Sequence, residues 1–412
     1  MRKFNRLVAL TVTVLLAFGM AACHPEIAPS SSDTENGSSN SEVISSATEA
    51  SKPNRSDAVS SLSAVSSSPD KPSSSASKSP SKENTKPISS TANVSDNTTE
   101  ELPEEDRPIN TGVPSEAAIR KLEALFDGKM TEERDLFRSS SISGMHFTDS
   151  VWVDGVCYTY YISYTDSSGM GISMVKSDNG IDFHSPVRVL SPSESYDLNY
   201  ASFPGIWYLD GVFYLVYECS APAQHIALAT STDGVNFTKH GIILKTDHSL
   251  PWQNYNIGTP DLYWEDGVWY LTFHGFGSDQ RDCQIGIAYG EDLFNLTMMP
   301  TPIIPTSKDP NAPDSGTTGR RDVIKAGDWY YMVYEISTDI GKNGTFEGSV
   351  WGHSFARSRN MLDWEVIQNY TPITTLGGMG CDGPSWMIAD GDIWVHVRLN
   401  TNTYAYSFVE KE

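Results

Sequence analysis

Three aspartates stand at the same distance before a repeated turn. Five Asp-Gly or Gly-Asp turns, at residues 154, 210, 266, 327 and 390, punctuate the C-terminal part of the chain. Five residues before each turn lie Asp149, Gly205, Asp261, Asp322 and Ser385. Carboxylates that recur in register meet if the repeats surround an axis, and carboxylates that meet exchange protons, bind cations and shift one another's pKa. Aspartates at strand ends also cap turns, which is the role expected of Asp154, Asp210, Asp266 and Asp390. Two further carboxylates, Glu218 and Glu335, end the second strands that follow the second and fourth of these positions. Arg320 and Arg321 precede Asp322, as His146 precedes Asp149, and a guanidinium there would keep a carboxylate ionised or hold a hydroxyl or acid group. Trp207, Trp264 and Trp386 add flat apolar faces, and His274, His353 and His396 add nitrogen donors.

The elements that must position these residues are strands. Around each turn, aromatic and β-branched residues alternate with polar ones, and Asp-Gly pairs supply the positive φ of a two-residue hairpin. After each of the first four hairpins comes a second unit: an inner strand, a polar Asp/Asn turn, an aromatic plug and an outer strand. Hairpin plus second unit makes a four-stranded blade. Repeats this small must stack to bury their apolar faces, and radial closure protects their edges. The spacing therefore predicts an all-β, five-bladed β-propeller of four-stranded antiparallel blades over residues 131–412. A strand from 131–148 is expected to complete the fifth blade, whose second unit is short. Ile119, Leu122, Leu125 and Phe126 fall at helical spacing, and Pro114 suits a first turn, so 111–130 is expected to be a short helical lead-in.

The N-terminal quarter has another composition. Arg2, Lys3 and Arg6 precede an almost wholly apolar run over 7–20, too short to span a bilayer and typical of an export signal. Met20-Ala21-Ala22-Cys23 resembles a bacterial lipobox, which makes 1–22 a signal segment and Cys23 the lipidated residue. Between 51 and 100 the chain holds 17 serines and few large apolar side chains, so 23–110 is expected to be a flexible Ser/Pro/Thr-rich tether. The protein is therefore expected outside the cytoplasm, anchored to a membrane by lipid, and monomeric. Its formal charge of −23 argues against nucleic acid and against docking on an anionic membrane. Cys157, Cys219, Cys283 and Cys381 lack zinc-site spacing and read as buried small hydrophobes, with a disulfide as the alternative.

The five blades and the carboxylates in register resemble the five-bladed glycosidases of the family 43 group, which includes arabinanases, arabinofuranosidases and β-xylosidases. The likeness covers 131–412 and rests on blade pattern. It implies a carbohydrate substrate and inverting hydrolysis of a cell-surface or extracellular glycan. By the resemblance Asp149 is the general base, Asp261, in Gly258-Thr259-Pro260-Asp261, tunes and orients the acid, and the fourth blade supplies the acid. That blade has Asp322 where the family has Glu, so Asp322, Glu335 and Glu218, in that order, are the acid candidates. Arg320, Arg321, His146, Trp207, Trp264 and Trp386 would bind substrate. No cofactor is required, although the resemblance implies a structural calcium near the axis with His396 or His274 beside it. A non-catalytic glycan-binding protein on a degenerate site is the main alternative. A fructan-cleaving enzyme or a glycoside phosphorylase on the same fold is a lesser one.

Overall fold

The computed structural model describes residues 112–132, 138–139, 144–165, 169–220, 223–278, 283–338, 350–368, 382–399 and 402–411. The signal segment, the serine-rich stretch with Cys23, and Cys381 lie outside the described residues. Helix α1 (Glu116–Phe126) begins at the Ser115 cap, whose Oγ accepts a bond from Ala118 N at 3.2 Å. Pro114 therefore precedes the cap instead of opening the first turn, because Ser115 satisfies an otherwise unpaired amide. Ala118, Leu122 and Leu125 form the buried face of α1. No described helix is long and apolar enough to cross a membrane.

Among the described residues, everything after α1 is strand, turn or loop. Strands β1 (Met130–Glu132) and β2 (Arg138–Ser139) come first. Sheet 1 is β3 (His146–Val153), β4 (Val156–Thr165), β5 (Gly169–Ser177) and β6 (His184–Leu190), hydrogen-bonded in that order. Sheet 2 repeats the meander with β7 (Tyr200–Leu209), β8 (Val212–Ser220), β9 (Gln224–Ser231) and β10 (Thr238–Leu244). Sheet 3 holds β11 (Asn256–Glu265), β12 (Val268–Phe276), β13 (Cys283–Gly290) and β14 (Thr297–Met298). Sheet 4 holds β15 (Thr317–Ala326), β16 (Trp329–Ser337), β17 (Trp351–Ser358) and β18 (Trp364–Val366). A single parallel pair, Cys283 with Thr317, links sheets 3 and 4. Sheet 5 consists of β19 (Asp382–Ala389), β20 (Asp392–Leu399) and β21 (Asn402–Tyr406), completed by β2, and β22 (Phe408–Glu410) pairs with β1. The expected contribution of an N-terminal strand to the last sheet is thus observed.

The turn residues behave as their chemistry dictates. Asp154, Asp210, Asp266 and Asp390 have φ of 51°, 50°, 50° and 52°, each followed by a glycine that is also left-handed. The fourth turn differs: only Gly327 is left-handed, at 61°, as in a II′ turn with glycine first. The polar turns between third and fourth strands are Asx turns. In sheet 2, for example, Asp233 Oδ1 accepts from Val235 N at 2.8 Å and Asn236 N at 2.7 Å.

Among the described residues the core is divided into five apolar clusters, four between sheets consecutive in the chain and one between the last sheet and the first. Leu215 and Ile172 belong to the cluster between sheets 1 and 2, Val216 and Leu271 to that between 2 and 3, and Ile287 and Met332 to that between 3 and 4. Sheets 4 and 5 share Val333, Phe355, Trp386 and the apolar face of α1. The fifth cluster joins Cys157 and Val175 of sheet 1 to Met387 and Ala389 of sheet 5. The first strands follow the same order, β3 touching β7, then β11, β15, β19 and β3 again. Each sheet buries side chains on both faces, at about 1.5–3 kcal/mol for a fully buried Leu, Ile or Phe.

Candidate active site

A single backbone irregularity, repeated in every sheet, sets the geometry where the first strands begin. Their pairing slips between His146 and Asp149, Ser202 and Gly205, Gly258 and Asp261, Thr318 and Arg321, and Asp382 and Ser385. Within this bulge Phe147, Phe203, Thr259 and Gly383 are left-handed, with φ of 52°, 52°, 41° and 59°. Bulges re-aim side chains and are common beside functional sites.

Just past the bulge, Asp149, Asp261 and Asp322 meet from sheets 1, 3 and 4, one carboxylate oxygen of each within 4.8 Å of the others. All three are buried. Asp149 Oδ2 accepts the Ile206 amide of sheet 2 at 2.8 Å and its Oδ1 the Ser150 amide at 2.7 Å. Asp322 Oδ2 accepts the Trp386 amide of sheet 5 at 2.7 Å. Two aspartates therefore clasp neighbouring first strands. Arg320, 1% exposed, gives Nη2 to Thr148 O at 2.8 Å and Nη1 to Pro204 O at 3.2 Å, crossing from sheet 4 to sheets 1 and 2. Burial and then Asp322 push the Asp261 carboxyl up to about 8, against the pull of Arg320 and Arg321. Burial also raises Asp322 to about 6, and raises Asp149 well above the usual carboxylate range with help from Asp322 and Asp261. On their other side the aspartates close a cavity of ≈ 410 Å³, also lined by Gly112, Val113, Pro114, Trp152, Trp207 and Tyr263.

Glu218 and Glu335 occupy the opposite flank of the bulge. Glu218, 1% exposed, accepts from Tyr200 Oη at 2.7 Å, Gln224 Nε2 at 3.1 Å and the Thr259 amide at 2.8 Å. Its carboxylate fills the place of a side chain at Gly258, where a methyl group would run into Oε2. Glu335 does the same at Gly319, its Oε2 lying 2.7 Å from where a Cβ would stand, and accepts the Gly383 amide at 3.1 Å. Burial lifts the Glu218 carboxyl to about 7, although its hydrogen bonds and Arg321 favour the ionised form. Arg321 donates to Thr259 Oγ1 and, at 3.0 Å, to Gly319 O. Thr259 Oγ1 also meets His274 Nδ1 at 2.9 Å. Among the described residues Arg321 Nη1, His274 Nε2 and Ser202 Oγ are buried without a partner.

The other expected residues divide. His146 is half-buried in the β3 bulge. Trp386 is 3% exposed, its Nε1 bonded to Tyr331 O at 3.1 Å within the core between sheets 4 and 5. Trp264 lies edge-on to Trp269, 6.5 Å between centroids, beside the core of sheets 2 and 3. Trp207 packs against Tyr263 at 4.7 Å on the cavity side. All three pack in or beside the cores between sheets, and Trp207 and Trp386 also line the cavity. Arg320 is likewise an internal brace. Three carboxylate oxygens suit a hard cation, and the aspartate cluster could coordinate one. Neither His274, held down to about 3 by burial, nor His396, held to about 4 by burial, belongs to that cluster. His396 packs against Phe183, and His353 meets Glu132 and Tyr406. Cys157 and Cys219 are free and buried, and Cys283 is buried. Sequence reasoning missed Thr259, Phe147 and Phe203; no local signal marks their left-handed backbone, since a residue before proline, as at 203 and 259, is ordinarily extended.

No family model matches the chain. Over 155 residues it is 26% identical to the Aspergillus niger arabinan endo-1,5-alpha-L-arabinosidase A, a stretch covering 35% of this chain and 44% of that protein. The chain thus matches under half the length of this curated relative. Among solved structures, one described as a glycoside hydrolase superposes with a TM-score of 0.55 at 15% identity, covering 71% of this chain and 96% of the other. A thermostable family-43 glycoside hydrolase superposes with a TM-score of 0.50 at 16% identity, over 66% and 90%. The likeness is one of fold.

Proposed function

We propose that this chain is an O-glycoside hydrolase on a five-bladed β-propeller, with Glu218 and Glu335 as its proton-handling pair. The cyclic order of the five apolar clusters supports the propeller, and the fold shared with glycoside hydrolases supports carbohydrate as substrate. The observation that carries the assignment is Glu218: a buried carboxyl raised to about 7 keeps its proton near neutrality, as a general acid must.

The aspartates fit that role less well. Inversion needs carboxyl groups roughly 6.5–9.5 Å apart, leaving room for water, whereas Asp149, Asp261 and Asp322 converge within 4.8 Å. Glu218 and Glu335 are carried by sheets 2 and 4, with β11 and Arg321 between them. In this reading Glu218 protonates the glycosidic oxygen and Glu335 takes a proton from the attacking water. Arg321 Nη1, His274 Nε2 and Ser202 Oγ supply polar contacts for sugar hydroxyls. Asp149, Asp261 and Asp322 brace the first strands, alone or around a hard cation. Following the lipobox-like start, we place the protein outside the cytoplasm on a lipid anchor at Cys23.

The test is hydrolysis of arabinose-, xylose-, galactose- and fructose-containing glycosides by the wild type and by Glu218→Gln and Glu335→Gln. Each substitution is expected to lower kcat about 10²–10⁴-fold. Because Glu218 must be protonated, wild-type activity is expected to fall as pH rises through about 7. Full activity in both variants would refute the pair. One observation favours a second reading, a glycan-binding protein without turnover: Glu218 and Glu335 both accept backbone amides of the next sheet, as structural clasps would. Glycan binding with no hydrolysis of any substrate would select it.

A further inference from the structure

Phe147 and Phe203 hold a conformation that bulky residues seldom adopt. Both have φ of 52° at the same position of the repeated bulge, where the side chain is re-aimed by the left-handed backbone. The matching residue of sheet 3, Thr259, points Oγ1 at Arg321 and His274 and gives its amide to Glu218. The matching residue of sheet 5, Gly383, gives its amide to Glu335. The position thus belongs, sheet by sheet, to the rim that carries both glutamates.

The two rings meet edge to face, 4.9 Å between centroids. Phe147 also lies over Gly383, where a Cβ would stand 2.7 Å from the ring, and the Arg398 guanidinium is 5.4 Å from its centroid. Phe203 follows Ser202, which faces Glu218 across the strand pair. Phe147 is only half-buried, so part of its surface is left to a ligand. Strain kept in a side chain that does not complete the core points to a role in binding.

We infer that Phe147, backed by Phe203 and flanked by Arg398, is the stacking platform for the sugar unit presented to Glu218 and Glu335. The ligand class is a glycan residue with a C–H face for the ring and a hydroxyl or carboxylate for the guanidinium. This rests on the carbohydrate reading above and adds the residue that selects the sugar.

Phe147→Asn removes the ring and suits the left-handed backbone, whereas Phe147→Tyr keeps the ring and the strain. Binding of linear arabinan, xylan and galactan to the full-length protein is measured by calorimetry, alongside thermal melting. The expected result is a Tm for the Asn variant equal to or above wild type, with affinity for the bound glycan reduced 10-fold or more. The Tyr variant is expected to stay within about threefold of wild type. An Asn variant that binds as wild type does would overturn the platform while leaving the carbohydrate reading intact. A lower Tm with unchanged binding would assign the ring to packing. Failure of the wild type to bind any of these glycans would remove the carbohydrate reading, and the platform with it.

Discussion

At the scale of single residues, five buried carboxylates share one habit: each reaches a backbone amide at or beside the bulge. They differ in company. Asp149, Asp261 and Asp322 face one another, with Arg320 and Arg321 as the nearby cations, while Glu218 is set among Tyr200, Gln224 and Thr259. The aspartate cluster makes stability depend on pH. Asp261 titrates near 4 in an unfolded chain and about 8 in the fold, so the folded state holds the extra proton between those values. Its stability contribution is complete below pH 4 and is lost as pH rises through about 8. Wild-type Tm is expected to decline from pH 5 to pH 8, and Asp261→Asn to flatten that decline, measured by thermal melts across the range. An equal slope in the variant would place the linkage elsewhere.

At the scale of elements, the hairpins were legible because Asp-Gly pairs fix two left-handed residues regardless of tertiary context. The alternation of Trp269, Leu271 and Phe273 in β12 likewise declares which residues share one face. What the carboxylates touch was not legible. Glu218 and Asp149 occupy strands whose register is readable, yet whether each turns toward its own sheet or the next depends on a bulge that slips the register by one residue. Gly258 and Gly319 illustrate the difficulty: their missing side chains make room for glutamates from other strands, a relation invisible along the chain. The C-terminal strands carry a testable burden. Tyr406 and Phe408 belong to the core between sheets 4 and 5, and β21 and β22 are the partners of β2 and β1. A chain ending at residue 400 is expected to lose cooperative unfolding and resist proteolysis poorly, as read by circular dichroism and limited trypsin digestion. A native-like melt would show that β21 and β22 are dispensable.

At the scale of the whole molecule, an acidic domain is joined to a start that reads as an export and lipidation signal. Cys23→Ala is expected to shift the protein from the membrane fraction to the soluble one and abolish incorporation of labelled fatty acid. Retention of both would remove the anchor proposal. The all-β architecture was foreseeable because alternating aromatic and β-branched residues around five turns declare paired strands. Pairing the beginning of the domain with its end also sets a timetable for biosynthesis. Met130 waits for Glu410, about 280 residues later, which at roughly 5–20 residues per second means some 15–55 seconds of synthesis. Through that interval β1 and β2 have no partner, and the face of sheet 1 that packs on sheet 5 stays uncovered. A nascent chain of this kind cannot complete its fold before β21 and β22 have been made, and until then its first strands stay open to other partners.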